Sequence, residues 1–198
     1  MEKYNITELR QGVKNPNRVN VFVDGKYAFS LDVTQVVDMG VKAGQKITEE
    51  ELAELKKASD FGKLYQRTLE WILIRPRSVR ETKDYLVRKQ ASEFSKIIIQ
   101  QLSERGYLDD RKFAEWYVEN RFVKKGVSQR RLKMELIKKG IAREIIENVL
   151  DRRDDEEELR KMIDKKRTKY TPEKLIAYLV RQGFSYDLVR RLVDEIED

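Results

Sequence analysis

Residues 128–140 read SQRRLKMELIKKG, and the pattern they carry occurs three times in the chain. Placing SVRETKDYLVRK (78–89) above it and TPEKLIAYLVRQG (171–183) below aligns Ser78, Ser128 and Thr171, and also Leu86, Leu136 and Leu179. Each segment opens on a residue type that accepts hydrogen bonds from the free amides of a helix start. Each then places a leucine eight positions later, on what helical periodicity makes the inner face. A second helical signature follows in every case: Ile98-Ile99 with Leu102, Ile145-Ile146 with Val149, and Leu188-Val189 with Leu192. The distance from the aligned leucine to this signature is 12, 9 and 9 residues, which predicts a three-residue insertion in the first connecting loop. Before each capping residue lies another helical run: LYQRTLEWILI, KFAEWYVENRF and EELRKMIDKK.

The unit is therefore three helices, repeated three times at intervals of 50 and 43 residues. So short a unit buries little alone and must stack on its neighbours. The predicted fold class is mainly α: three tandem three-helix repeats in an elongated, curved array. The expected boundaries are 61–110, 111–153 and 154–198.

Residues 1–34 have a different texture, within a β-rich extension that is expected over 1–60 and leads into a helix. Val19, Val21 and Val23, then Tyr27, Phe29 and Leu31, alternate around Asp24-Gly25, a two-residue hairpin signal. Two or three antiparallel strands are expected, with TQVVDMGV or a helix beginning near Thr48 supplying the cover that a lone hairpin lacks. Thr48 and Glu51 have capping-box spacing, and that helix is expected to run to about Ile74, where Arg75-Pro76 ends it.

Composition removes most chemistry. Cysteine and histidine are both absent, which excludes disulfides, zinc knuckles, thiol nucleophiles and the common His-based catalytic sets. No stretch approaches eighteen consecutive apolar residues, and the opening MEKYNITELR lacks a signal-peptide core, so a cytoplasmic protein without a membrane partner is expected. There is no phosphate-cradling glycine loop and no nucleophile–base pair. Neither an enzymatic activity, a cofactor nor a metal is expected. Asp109-Asp110 reads as helix capping rather than as a cation site, and the acidic run 154–158 as charge at a helix start, with intramolecular phosphate mimicry a weaker reading. Trp71, Trp116, Tyr117 and Phe122 fit core packing better than base stacking.

The net charge is +7, and it is unevenly placed: −1 over 1–60, +5 over 61–113, +5 over 114–153 and −2 over 154–198. Within 124–141 every charged side chain but Glu135 is Lys or Arg. A row of helical units with basic faces on the first two suits a long, negatively charged partner, either nucleic acid or an acidic protein surface. The helix-turn-helix outline also admits sequence reading, but Gln129 and Arg130 are the only pair suited to base edges.

The segment from Leu69 to about Leu150 resembles the RecX family, regulators of the recombinase RecA. The residues that carry the resemblance are RPRSVRETKDYL (75–86), GYLDDRKFAEWYV (106–118), Arg121, Lys125-Gly126 and ELIKKGI (135–141). Thr82, where the family usually has leucine, and Gln90, where glycine is common, are departures in the first repeat. The third repeat matches mainly by pattern, and the β-rich head is similar to an extension seen in some members.

The resemblance implies a monomeric, non-enzymatic protein that binds the RecA filament on single-stranded DNA and inhibits its ATPase, strand-exchange and coprotease activities. The alternative is a direct, largely sequence-independent DNA-binding protein of helix-turn-helix-like repeats, and weak direct DNA binding beside the filament is also admitted. The partner-binding residues expected on this basis are Arg75, Arg77, Arg80, Lys124, Lys125, Arg130, Arg131, Lys138 and Lys139. Gly106, Tyr107, Leu108, Asp109, Asp110, Phe113, Gly126 and Gly140 are the family-motif residues expected to serve structure.

Overall fold

The computed structural model describes residues 3–13, 15–151 and 153–197, the side chains of 122–125 and 197 excepted. The chain forms two compact units, 1–71 and 72–198, and the helix over Glu49–Ile74 runs as far as the Ile74 expected of it.

In the first unit four strands form an antiparallel sheet of order β3-β2-β1-β4: β1 (Lys3–Gln11), β2 (Arg18–Val23), β3 (Lys26–Asp32) and β4 (Lys46–Thr48). This is one strand more than the two or three expected. Asp24 and Gly25 both take positive φ, 49° and 77°, which matches the twist of the flanking strands in a two-residue hairpin turn. TQVVDMGV supplies no strand. It lies largely in the helix α1 (Val33–Asp38), capped by Asp32 with Gln35 in a reciprocal box. Helix α2 (Glu49–Ile74) opens with the expected box, the Glu51 amide donating to Thr48 Oγ1 (3.2 Å) and the Thr48 amide to Glu51 (2.7 Å).

Leu52 and Leu55 of α2 complete a core with Ile6, Val21, Phe29, Leu31 and Ile47. A glycine inside a helix costs stability, and Gly62 has a reason for its place. A Cβ there would lie 2.7 Å from Gln35 Oε1, whose side-chain amide donates to the Ala58 carbonyl.

The second unit is helical. From the end of α2 the helices come in threes: α3 (Val79–Arg88) and α4 (Ser92–Glu104); α5 (Asp110–Lys125), α6 (Gln129–Lys138) and α7 (Arg143–Leu150); α8 (Asp155–Lys166), α9 (Pro172–Arg181) and α10 (Tyr186–Glu197). The aligned leucines Leu86, Leu136 and Leu179 are fully buried. The three extra residues of the first repeat do not lengthen its loop. They extend α4 by about a turn at its start, and only Lys89, Gln90 and Ala91 separate α3 from α4.

Ser78 and Ser128 cap their helices through Oγ, whereas Thr171 makes no such bond and is followed by Pro172 at the first helical position. Thr82 occupies its buried site by donating its hydroxyl to the Ser78 carbonyl (3.0 Å), so the departure from leucine leaves no polar atom stranded. Among the described residues no helix is long and apolar enough to cross a membrane, and no three acids are gathered to hold a metal ion.

Candidate partner-binding site

The basic residues divide into those that hold the repeats together and those left on the surface. The division follows from how one repeat meets the next.

Asp109 caps its own helix α5 by accepting from the amides of Arg111 (2.9 Å) and Lys112 (3.1 Å). Asp110 turns the other way and accepts the Val79 amide at the start of α3 (2.9 Å). The same doublet recurs in the third repeat. Asp154 accepts from Glu156 in its own helix, and Asp155 accepts the Gln129 amide at the start of α6 (2.7 Å). Each second helix thus has its first amide satisfied by the following repeat, despite a burial that pushes both Asp110 and Asp155 above the usual carboxylate range. In α9 the first residue is Pro172, which has no amide hydrogen to satisfy.

The second helices also meet end to end. The start of α3 sits on the end of α6, with Ser78 Oγ donating to the Lys139 carbonyl (2.8 Å) and Lys139 Nζ reaching Glu81 (2.6 Å). The start of α6 sits on the end of α9: the Ser128 amide donates to the Gln182 carbonyl (3.2 Å), and Arg131 Nη1 donates to the Arg181 carbonyl (2.7 Å) and Gln182 Oε1 (3.2 Å).

Two glycines make the approach possible. Gly140 (φ 80°) and Gly183 (φ 99°) end α6 and α9, and a Cβ there would lie 2.7 Å from Arg80 Cβ and 2.4 Å from Ser128 Oγ respectively. The equivalent residue of the first repeat is Gln90, exposed, left-handed at φ 57° and with no three-helix repeat before it.

Of the expected binding residues, Arg75, Lys139 and Arg131 are therefore engaged internally. Arg75 is bonded to Glu81 (3.1 Å) and lies over the Trp116 ring, 5.5 Å from its centroid. Lys139 shares Glu81, and Arg131 joins Glu135 (3.2 Å). Glu135, the lone acid of its stretch, also accepts from Tyr117 Oη (2.9 Å) and Arg121 Nε (2.8 Å). Burial pushes its carboxyl up, but the hydrogen bonds from Arg121 and Tyr117 and the Arg121 charge outweigh burial and hold it at about 2.

Arg80, Arg130 and Lys138 are exposed and form no ion pair with a described residue. Arg77 is half-buried and lines a cleft of about 260 Å³ with Leu73, Pro76, Tyr107 and Lys112. The side chains of Lys124 and Lys125 lie outside the described residues, as does that of Phe122.

Of the motif residues, Leu108 and Phe113 are buried, and Gly106, Gly126 and Gly140 have positive φ. A Cβ at Gly126 would lie 2.3 Å from Met162 Sδ of α8, so this glycine too sits where successive repeats pack. Tyr107 is 44% exposed at the rim of the cleft. Trp116 and Tyr117 pack with Phe113. The acidic run is consumed locally: Asp154 and Asp155 as above, Glu156 by Arg160 and Arg191, Glu157 by Lys161, and Glu158 by Arg153.

Sequence reasoning missed the interlock itself. Its signal was available in two Asp-Asp doublets placed 45 residues apart, one before each later repeat.

Comparison with known proteins agrees with this architecture. Residues 4–48 match the model of the regulatory protein RecX N-terminal domain, and residues 109–150 that of the RecX second three-helix domain. A regulatory protein RecX of Listeria monocytogenes serotype 4b (strain F2365) is 32% identical over 197 residues, covering 93% of this chain and 73% of that protein. The regulatory protein RecX of Bacillus subtilis (strain 168) is 31% identical over 203 residues, covering 97% and 77%. A crystal structure of a regulatory protein RecX superposes with a TM-score of 0.74 at 22% identity, covering 96% of this chain and 99% of that one. RecX from Lactobacillus salivarius superposes with 0.57 at 24% identity, covering 71% and 98%. The sheet-bearing head, the interlocked three-helix repeats and these similarities over nearly the whole sequence lead to one conclusion: the chain belongs to the RecX family.

Proposed function

We propose that this chain is a non-enzymatic cytoplasmic regulator that binds, as a monomer, to the RecA filament on single-stranded DNA and inhibits its ATP hydrolysis, strand exchange and coprotease activity. The observation that carries this reading is the sorting of the cations. The repeat joints use Arg75, Arg131 and Lys139, while Arg80 and Arg130 stand at equivalent positions on α3 and α6 with Lys138 beside them, exposed and unneutralised by a described residue. A rigid row of repeats offering free positive charge suits a long anionic partner. Lys124 and Lys125 belong to the same strip by sequence, and Arg77 contributes from its cleft.

The test is DNA-dependent ATP hydrolysis by the cognate recombinase, with the chain titrated into filaments already formed. Inhibition at well below one chain per protomer is expected, and R130E/K138E should raise the amount required about tenfold while leaving the fold intact. An absence of inhibition at stoichiometric amounts overturns the reading.

Direct, sequence-independent DNA binding is the second reading, favoured by the same free cations. It predicts that affinity for bare single strands falls with salt at a log–log slope of about −0.7 per neutralised phosphate.

A further inference from the structure

The second helices repeat a feature that folding does not require. Val87, Ile137 and Val180 occupy the same position, nine residues after the aligned Ser78, Ser128 and Thr171, and are 52%, 52% and 38% exposed. β-Branched side chains are poor choices on an exposed helix face, because they lose rotamer freedom there without gaining burial. Isolated apolar residues on a surface need no explanation, but the same one in every repeat does. Each is followed by a cation, Arg88, Lys138 and Arg181, and all three cations are exposed. On α6 the pair sits beside Met134, 54% exposed, and Arg130, all on the face opposite the buried Leu132 and Leu136. Because α9, α6 and α3 are joined end to end through equivalent contacts, the three pairs are presented in series by helices about 15 Å long each.

We propose that Val87-Arg88, Ile137-Lys138 and Val180-Arg181 form a docking row for a protein lattice whose identical subunits each present an apolar pocket beside a carboxylate. This rests on the filament reading and deepens it by naming what the row touches. The charge is complementary to acidic protein, while the aliphatic member of each pair has no counterpart on a phosphate backbone. The occupant is the protein component of a filament rather than its nucleic acid. Three weak contacts in fixed register with a repeating partner act multivalently, so each pair contributes more once its neighbours are bound.

The experiment measures binding of the full chain to preformed recombinase filaments on single-stranded DNA and, separately, to the bare strand. The variants are V87S, I137S, V180S and the triple, with I97S as a control at an exposed aliphatic outside the row. Serine has helix propensity close to that of valine, and circular dichroism checks the fold of each variant. Single variants should weaken filament binding about threefold to fivefold and the triple about a hundredfold, with bare-strand binding and I97S unchanged. A triple variant that binds filaments like the parent chain overturns the row alone. One that loses bare-strand and filament binding in parallel shows a nucleic-acid occupant and overturns it as well. A parent chain that binds no filament at all overturns both the row and the reading beneath it.

Discussion

The joint between the first and second repeats and the joint between the second and third are built on one backbone plan with different side chains. In both, an aspartate from the later repeat takes the first amide of the earlier repeat's second helix. In both, a left-handed glycine seats that helix. The third contact differs. The first joint uses an ion pair, Lys139 with Glu81, whereas the second uses an arginine on a helix-end carbonyl and a glutamine amide. What recurs is what a backbone group or a missing Cβ demands; what varies is a polar contact that several residue pairs can make. Geometry is the fixed part of this interlock, and side-chain charge is its adjustable part.

The sharpest way to break that comparison is at the glycines. Gly140→Ala puts a Cβ against Arg80 Cβ, an atom that cannot swing away, and strains a left-handed backbone. It should cost about 3 kcal/mol in urea unfolding, with Gly183→Ala close behind. Equal stability of parent and variant would mean that the helix ends are not seated as described.

Glu135 tests whether charge matters within a repeat more than across a joint. E135Q should lose about 2 kcal/mol at pH 7. The folded-state pKa of Glu135 lies below its ordinary value of 4.5, so its stabilisation is complete above 4.5 and drains away as pH falls toward 2. Parent and variant stabilities should therefore converge in acid, and a constant gap down to pH 2 would exclude this assignment. Asp110→Ala and Asp155→Ala come next, each stranding one helix-start amide at about 1–2 kcal/mol. Their near equality is the point, since a large difference would show that the two joints are not equivalent. Smallest, and opposite in sign, is Gln90→Gly. No earlier three-helix repeat presses on Gln90, and relief of its left-handed strain should gain about 0.5 kcal/mol.

The sequence disclosed the helices because amphipathic spacing and caps are local properties. It disclosed the Asp24-Gly25 turn and the Thr48–Glu51 box for the same reason. Strand β4 escaped notice because three residues, Lys46–Thr48, are too few to show alternation. The basic strip was legible as composition but not as function. Lys139 meets its carboxylate 58 positions away, and no count of charges separates such a residue from the neighbouring Lys138. Asp110 was readable as a cap, but the helix it caps lies one repeat earlier. Gln90 looked like a departure from pattern, and in the structure it is exposed and left-handed at φ 57°, where no earlier three-helix repeat crowds its side chain.

The interlock also orders events at the ribosome. The Val79 amide obtains its acceptor from a residue 31 positions further on, and Ser78 obtains its carbonyl 61 positions further on. At a synthesis rate of about 5–20 residues per second, the start of α3 waits roughly 3–12 s for the end of α6 to be made. The first and second nascent repeats are therefore each completed by a successor, and their folding trails translation by one unit along the chain.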